Sequence, residues 1–159
     1  MKRGMEEAPV NVARIIRDLG IQYSVEPMAP EQSGYIQHSG GQYRITVNSN
    51  ESSQRQRFTA AHELAHYLLH RDKLAERGAL SRHNDTLFDG IDNPYPPFRS
   101  SHEVEANRLA AEIIMPKDAV SAAYSRPADN VQEVADKFGV SRRAMEIRLK
   151  ILGLRPDGR

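Results

Sequence analysis

The run His62-Glu63-Leu64-Ala65-His66 constrains what this chain can fold into more than any other feature does. In an α-helix, two histidines four residues apart lie one turn from each other on the same face. Both imidazoles can then reach a single Zn²⁺ at about 2.0 to 2.1 Å, with Glu63 beside them toward a water on the metal. The spacing predicts that His62 and His66 bind one zinc ion and that Glu63 is the catalytic general base. The alternative is a pair of ordinary surface histidines on a helix.

The surrounding residues favour a long helix for this motif. Ser53-x-x-Gln56 is a candidate capping box at its start, and no Pro or Gly lies nearby. His70 extends the histidine stripe by one further turn, but it lies about 12 Å along the helix from His62, too far for one ion to contact both. We expect His70 to be exposed or to contact a ligand. The apolar side of the helix comprises Phe58, Ala61, Ala65, Leu68 and Leu69.

The third zinc ligand must be His, Asp or Glu, because the chain has no cysteine. A second helix, predicted from about Ser101 to Ile114, offers the best candidate in Glu103. Glu103 extends the apolar stripe of this helix backward, whereas Glu105 and Glu112 fall on the opposite face. Asn107, one turn after Glu103, is placed to hydrogen-bond a ligating histidine and fix its orientation.

Other interpretations of this region stay open. Ser100-x-x-Glu103 also fits a capping box, in which the Glu103 carboxylate satisfies a backbone N–H at the helix start. His102 is the alternative third ligand, although it points away from the stripe. A second electrophile is also expected, and His102, Tyr95 and Arg99 are candidates because they lie near the loop before Glu103.

The 159 residues fit one domain of ordinary size with room for a small appendage, and we expect an α+β fold. A first helix carries apolar residues from Val12 to Leu19. The pattern from Tyr23 to Val47, with a turn at Ser39-Gly40-Gly41, predicts a small antiparallel sheet packed on the helices. The sequence of residues 78–100 predicts a long surface loop. The strand Tyr43–Val47 is either an ordinary core strand or an edge to which an extended substrate adds.

Residues 126–159 are a candidate small helical extension to a zinc-binding domain over residues 1–125. Helical patterns around Val131–Phe138 and Arg142–Leu152, separated by Gly139, resemble a helix-turn-helix with a basic second helix. These helices either contact DNA or pack on the rest of the protein. The net charge of +1 is too balanced to recruit nucleic acid by bulk charge, so DNA binding needs a local basic patch.

No segment of the sequence predicts secretion or membrane insertion. The N-terminus lacks the apolar run of a signal peptide, and no stretch approaches the roughly 18 apolar residues that span a bilayer. The lack of cysteine also excludes disulfide scaffolds, thiol nucleophiles and iron–sulfur clusters. We expect a soluble, cytoplasmic protein.

Two segments, Arg57–His70 and Glu103–Pro116, together resemble the ImmA/IrrE family of metallo-endopeptidases. The earlier segments Ser33–Ile36 and Ile45–Asn48 resemble the family's strands, so the resemblance covers roughly residues 10 to 120. Leu109 stands where the family usually has Phe, a change that a hydrophobic core tolerates.

The resemblance implies a compact zincin-like fold, as in thermolysin-type peptidases, in which His62, His66 and Glu103 bind one Zn²⁺ and Glu63 is the base. Members of the family are paired with helix-turn-helix repressors, which they cleave to release genes for stress response, mobile-element transfer or phage induction. The implied function is a zinc endopeptidase in transcription regulation, with such a repressor as substrate. Two other functions compete with it: a DNA-binding regulator, and an anti-repressor that uses zinc structurally without cleaving.

Overall fold

A computed structural model describes residues 9–77, 80–83, 100–125 and 130–154. Within these ranges the chain forms six helices and four strands, which is the α+β architecture that the sequence predicts. The helices are α1 (Val12–Asp18), α2 (Ser53–Arg77), α3 (Ser100–Ile114), α4 (Lys117–Ala123), α5 (Val131–Phe138) and α6 (Arg142–Ile151). The strands are β1 (Gln22–Glu26), β2 (Gly34–Ser39), β3 (Gln42–Asn48) and β4 (Leu80–His83). No helix in these ranges is long and apolar enough to cross a membrane.

The four strands form one sheet in the order β1-β3-β2-β4. β2 and β3 make the predicted hairpin, and its two-residue turn, Gly40-Gly41, has φ angles of +58° and +79° that favour glycine. The β2–β4 pair is also antiparallel, but β1 pairs with β3 in parallel, so the sheet is mixed rather than antiparallel throughout.

The parallel pair arises because the chain passes from β1 to β2 before it returns to β3. Asn48, at the end of β3, holds the connecting loop through its buried side chain. Its Nδ2 donates to the Gln32 carbonyl at 2.7 Å, and its Oδ1 accepts from the Met28 N–H at 3.0 Å. This loop seats β1 beside β3, on the side of β3 that the hairpin leaves open.

The position of β3 corrects one expectation. β3 has β1 on one side and β2 on the other, so Tyr43–Val47 is an interior strand with fully buried Ile45 and Val47. The hypothesis that an extended substrate adds to this strand is wrong, because its backbone groups already pair with two neighbours.

A close contact between β2 and α2 sets the position of the helix that carries the histidines. A Cβ added to Gly34 would lie 2.6 Å from the Thr46 carbonyl oxygen and 2.7 Å from Thr59 Cγ2. Thr59 lies on α2 and is fully buried, one turn before His62. Only glycine permits this approach, so Gly34 fixes the distance between the sheet and the first half of α2.

The structure adds two elements that the sequence patterns do not predict. Leu80–His83 lies inside the predicted loop 78–100 but pairs with β2 as the strand β4. A strand of four residues is too short to show periodicity, and its pairing is decided by a distant partner. Within the predicted loop, residues 78–79 and 84–99 lie outside the described residues, and Ser100 begins α3. α4 follows Pro116 directly, where the sequence shows only the end of α3.

The N-terminal cap of helix α2 lies one residue earlier than predicted. Ser52, rather than Ser53, supplies the cap, and its Oγ accepts from the Arg55 N–H at 3.2 Å. The Gln56 side chain donates to the Glu51 carbonyl at 2.9 Å. Further along, the helix is kinked at His70, where φ is −129° and ψ is 26°.

The C-terminal helices α5 and α6 lie at the predicted positions and pack on the rest of the described chain. Arg57 of α2 donates through Nη2 to the Phe138 carbonyl at 3.3 Å. The Arg148 Nε donates to the Met115 carbonyl at 2.9 Å, and Met145 is fully buried. The packing interpretation of this region therefore has direct support, while the division into residues 1–125 and 126–159 stays a prediction.

Replacing Phe138 with Ala should destabilise the protein by about 3–5 kcal/mol, because this aromatic ring is 1% exposed at the junction of α5 with the core. Urea unfolding followed by circular dichroism measures the change. Ile151→Ala is the matched control, since Ile151 is 68% exposed and its loss should cost less than about 0.5 kcal/mol. Equal effects of the two substitutions would contradict this account of the packing.

Candidate metal centre

Helices α2 and α3 bring together the three residues predicted to bind zinc. His62 and His66 come from α2 and Glu103 comes from α3, and all three side chains are fully buried. One potential ligand atom from each lies within 4.8 Å of the other two. No second group of three or more His, Asp or Glu residues is placed in this way among residues 9–77, 80–83, 100–125 and 130–154.

Both imidazoles approach the same oxygen of Glu103. The Nε2 atoms of His62 and His66 lie 3.0 Å and 2.7 Å from Glu103 Oε1. In a tetrahedral zinc site, bond lengths of about 2.0–2.1 Å place ligand atoms about 3.3 Å apart. The two separations are shorter than this spacing, and all three ligand atoms lie within 4.8 Å of one another, so the group is compact enough to surround a single zinc ion.

The donor set has the chemistry of a catalytic zinc site. Two imidazole nitrogens and one carboxylate oxygen leave a fourth tetrahedral position for water or substrate. The contact also bears on the capping alternative for Glu103, because its carboxylate faces the two histidines as a ligand would. Burying a carboxylate is costly unless its charge is compensated, and here the imidazoles and a divalent cation can supply that compensation.

Glu63, the predicted general base, is fully buried beside His62 on α2. It is adjacent in sequence to one predicted ligand and three residues from the other, so the helix fixes it in the same region as the donor set. Its assignment as the base stays a prediction from the motif.

His70 contacts a predicted ligand instead of facing solvent. His70 Nδ1 lies 3.0 Å from His66 Nδ1, and the side chain is 8% exposed. On its other side, His70 Nε2 donates to Glu105 Oε1 at 2.9 Å. This hydrogen bond is the main reason why the pKa of the Glu105 carboxyl lies below its ordinary value.

Sequence reasoning missed Glu105, which helical periodicity places on the solvent face of α3. Its side chain is indeed 58% exposed, yet it reaches across to His70. The recurrence of histidine at positions 62, 66 and 70 was the one available signal, since a third histidine on the same stripe needs a partner of its own. A helical wheel of α3 alone cannot show that partner.

The remaining predicted residues have different positions. His102, the alternative third ligand, is half-buried, and its ring centroid lies 4.6 Å from that of His70. It is not a member of the group of three ligand candidates. Asn107 is half-buried one turn after Glu103, and its proposed contact with a ligand stays a prediction. Tyr95 and Arg99 lie outside the described residues.

The residues of this centre lie within a region that matches a known family profile. The sequence profile of the IrrE N-terminal-like domain, Peptidase_M78, matches residues 16–150. The chain belongs to this family. Membership confirms the resemblance seen in the two helical segments and extends it into α6. It points to a peptidase, and the donor set of α2 and α3 suits the zinc dependence typical of such a metallopeptidase-like regulator.

A solved structure of a Mycobacterium tuberculosis transcriptional regulator has a similar fold, with a TM-score of 0.56 and 18% sequence identity. The similarity covers 87% of this Peptidase_M78 chain and 40% of the regulator, so the chain spans less than half of that protein's length. At this identity the likeness shows the fold alone. A comparison with curated proteins gives no significant match.

Replacing Glu103 with Ala should weaken zinc binding more than the roughly 10–100-fold that loss of an outer hydrogen-bonding partner costs, because it removes one of three ligands. Competition with a chromogenic chelator measures the affinity. Glu112→Ala is the control, since Glu112 is an exposed carboxylate on the same helix. Unchanged zinc affinity in Glu103→Ala would mean that Glu103 is not a ligand.

Proposed function

We propose that this protein is a zinc-dependent endopeptidase that hydrolyses a peptide bond in a regulatory protein, namely a helix-turn-helix transcriptional repressor. The observation that carries the proposal is the convergence of His62, His66 and Glu103 in the interior between α2 and α3, with Glu63 on the same turn. Membership of a peptidase family supports the reaction class.

Each residue of the centre has a separate role in the proposed hydrolysis. His62 and His66 would hold the metal through Nε2 and Glu103 through Oε1, the atoms that already face one another. A zinc ion held there would supply the Lewis acidity that makes water a nucleophile near neutral pH. The Glu63 carboxylate accepts a proton from the attacking water and then delivers it to the nitrogen of the leaving amine.

The choice of substrate rests on the resemblance to the ImmA/IrrE family, whose members are paired with helix-turn-helix repressors. One solved structure with a similar fold is itself described as a transcriptional regulator, which agrees with a role in gene control. Cleavage would inactivate the repressor and so derepress the genes that it controls.

Glu63→Gln should retain zinc and lower the cleavage rate by about 10²–10⁴-fold, because glutamine keeps the shape of the side chain but cannot accept the proton. The purified protein, with and without zinc, is incubated with the helix-turn-helix protein encoded beside its gene, and mass spectrometry identifies the fragments. We expect fragments only with zinc and only with an intact Glu63.

The outcomes of this experiment separate the competing functions. A Glu63→Gln variant that cuts at the native rate would remove Glu63 from the mechanism. A stable complex without fragments would replace the peptidase by an anti-repressor that uses the zinc centre structurally.

A DNA-binding regulator is the second candidate function, and the start of α6 is the observation that favours it. Arg142 and Arg143 are exposed there, just after the helix cap at Ser141, whose Oγ accepts from the Ala144 N–H at 3.1 Å. Arg142 also bonds Glu146 at 3.2 Å, which offsets part of the positive charge. If DNA is the target, duplex affinity should fall with increasing salt and with replacement of both arginines.

A further inference from the structure

We propose that His70 and Glu105 are positioning residues that hold the ring of His66 with its Nε2 toward the metal. This inference rests on the proposed function, since it assumes that His66 is a zinc ligand. A chain of hydrogen bonds runs from His66 through His70 to Glu105, away from the metal centre. His70 contacts His66 at Nδ1, the ring nitrogen that does not face Glu103, and Glu105 contacts His70, so this chain of contacts reaches the metal centre through His66.

The geometry of the chain is continuous from the interior to the surface. His66 Nδ1 lies 3.0 Å from His70 Nδ1, and His70 Nε2 lies 2.9 Å from Glu105 Oε1. Exposure rises along it, from 0% at His66 to 8% at His70 and 58% at Glu105. The buried end thus faces the ligands, and the solvated end carries the charge.

Proton positions follow from the donor and acceptor roles of the three groups. An imidazole that binds a metal through Nε2 carries its hydrogen on Nδ1, so His66 Nδ1 donates to His70 Nδ1. A neutral His70 that accepts at Nδ1 carries its hydrogen on Nε2 and donates it to Glu105. An ionised carboxylate can only accept hydrogen bonds, so each donor in the chain points toward Glu105, where the chain ends. This arrangement leaves the Nε2 lone pair of His66 available for the metal.

Helix α3 contacts the histidine pair at both ends. Glu103 faces His66 Nε2 at 2.7 Å, and Glu105, two residues later, faces His70 Nε2. α2 is kinked at His70, and the rings of His66 and His70 are in contact with their centroids 5.1 Å apart. The ring of His66 is therefore held on two sides, which fixes both its tilt and its tautomer.

The alternative is that His70 merely fills space between α2 and α3. The leucine and asparagine side chains have the same number of non-hydrogen atoms and both branch at Cγ, so two substitutions separate the explanations. His70→Leu removes every hydrogen bond of the side chain. His70→Asn places an amide oxygen close to the position of Nδ1, where it can still accept from His66. A packing role makes asparagine no better than leucine, whereas a positioning role favours asparagine.

Zinc affinity, measured by chelator competition, is the test. We expect about 10–100-fold weaker binding in His70→Leu, with much of the loss recovered in His70→Asn. Glu105→Gln should weaken binding by less, and it should have no further effect in the His70→Leu background because Glu105 acts through His70. Glu112→Gln, on the exposed face of the same helix, should bind zinc like the native chain.

Thermal unfolding of each variant without metal shows whether the variant folds. If His70→Leu does not fold, Glu105→Gln still tests the proposal, because its substitution lies at the exposed end of the chain. Zinc affinities of His70→Leu and Glu105→Gln within about twofold of the native value would overturn the proposal, as would equal losses in His70→Leu and His70→Asn. A native chain that binds no zinc would instead refute the proposed function itself.

Discussion

The buried carboxylate of Glu103 is the constraint on which the rest of the structure depends. A charge removed from solvent needs partners in fixed positions, because the penalty of leaving it uncompensated is several kcal/mol. The partners are the Nε2 atoms of His62 and His66, at 3.0 and 2.7 Å. Helices α2 and α3 must therefore cross at this point, and the buried alanines on both helices, including Ala65 and Ala106, leave room for that approach.

The sheet and the C-terminal helices hold α2 in the position that the centre requires. Gly34 lets β2 lie directly against Thr59, one turn before His62. Arg57, half a turn earlier on the same helix, bonds the end of α5. The first half of α2 is thus fixed from two directions, while its kink at His70 follows the second histidine of the motif. The histidines therefore lie directly after the part of α2 that contacts both the sheet and α5, and such contacts give the rigidity that a metal site needs.

The local parts of this design could be predicted from the sequence. The spacing of His62 and His66 and the apolar stripe behind Glu103 are properties of single helices, so helical periodicity suffices to place them. Features that depend on two distant segments could not be predicted in this way. The strand β4 exists through its pairing with β2, the interior position of β3 depends on where β1 is seated, and the bond between His70 and Glu105 joins two helices.

The most direct test of a catalytic zinc centre in this fold is zinc K-edge X-ray absorption of the zinc-loaded protein. We expect a four-coordinate ion with two imidazole ligands and two further oxygen ligands, as a carboxylate and a water molecule would give, all at about 2.0–2.2 Å. A six-coordinate hydrated ion without imidazole scattering, or a shell of three or four imidazoles, would contradict it. The expected result would leave the fourth position for a water molecule, which the proposed role of Glu63 as general base requires.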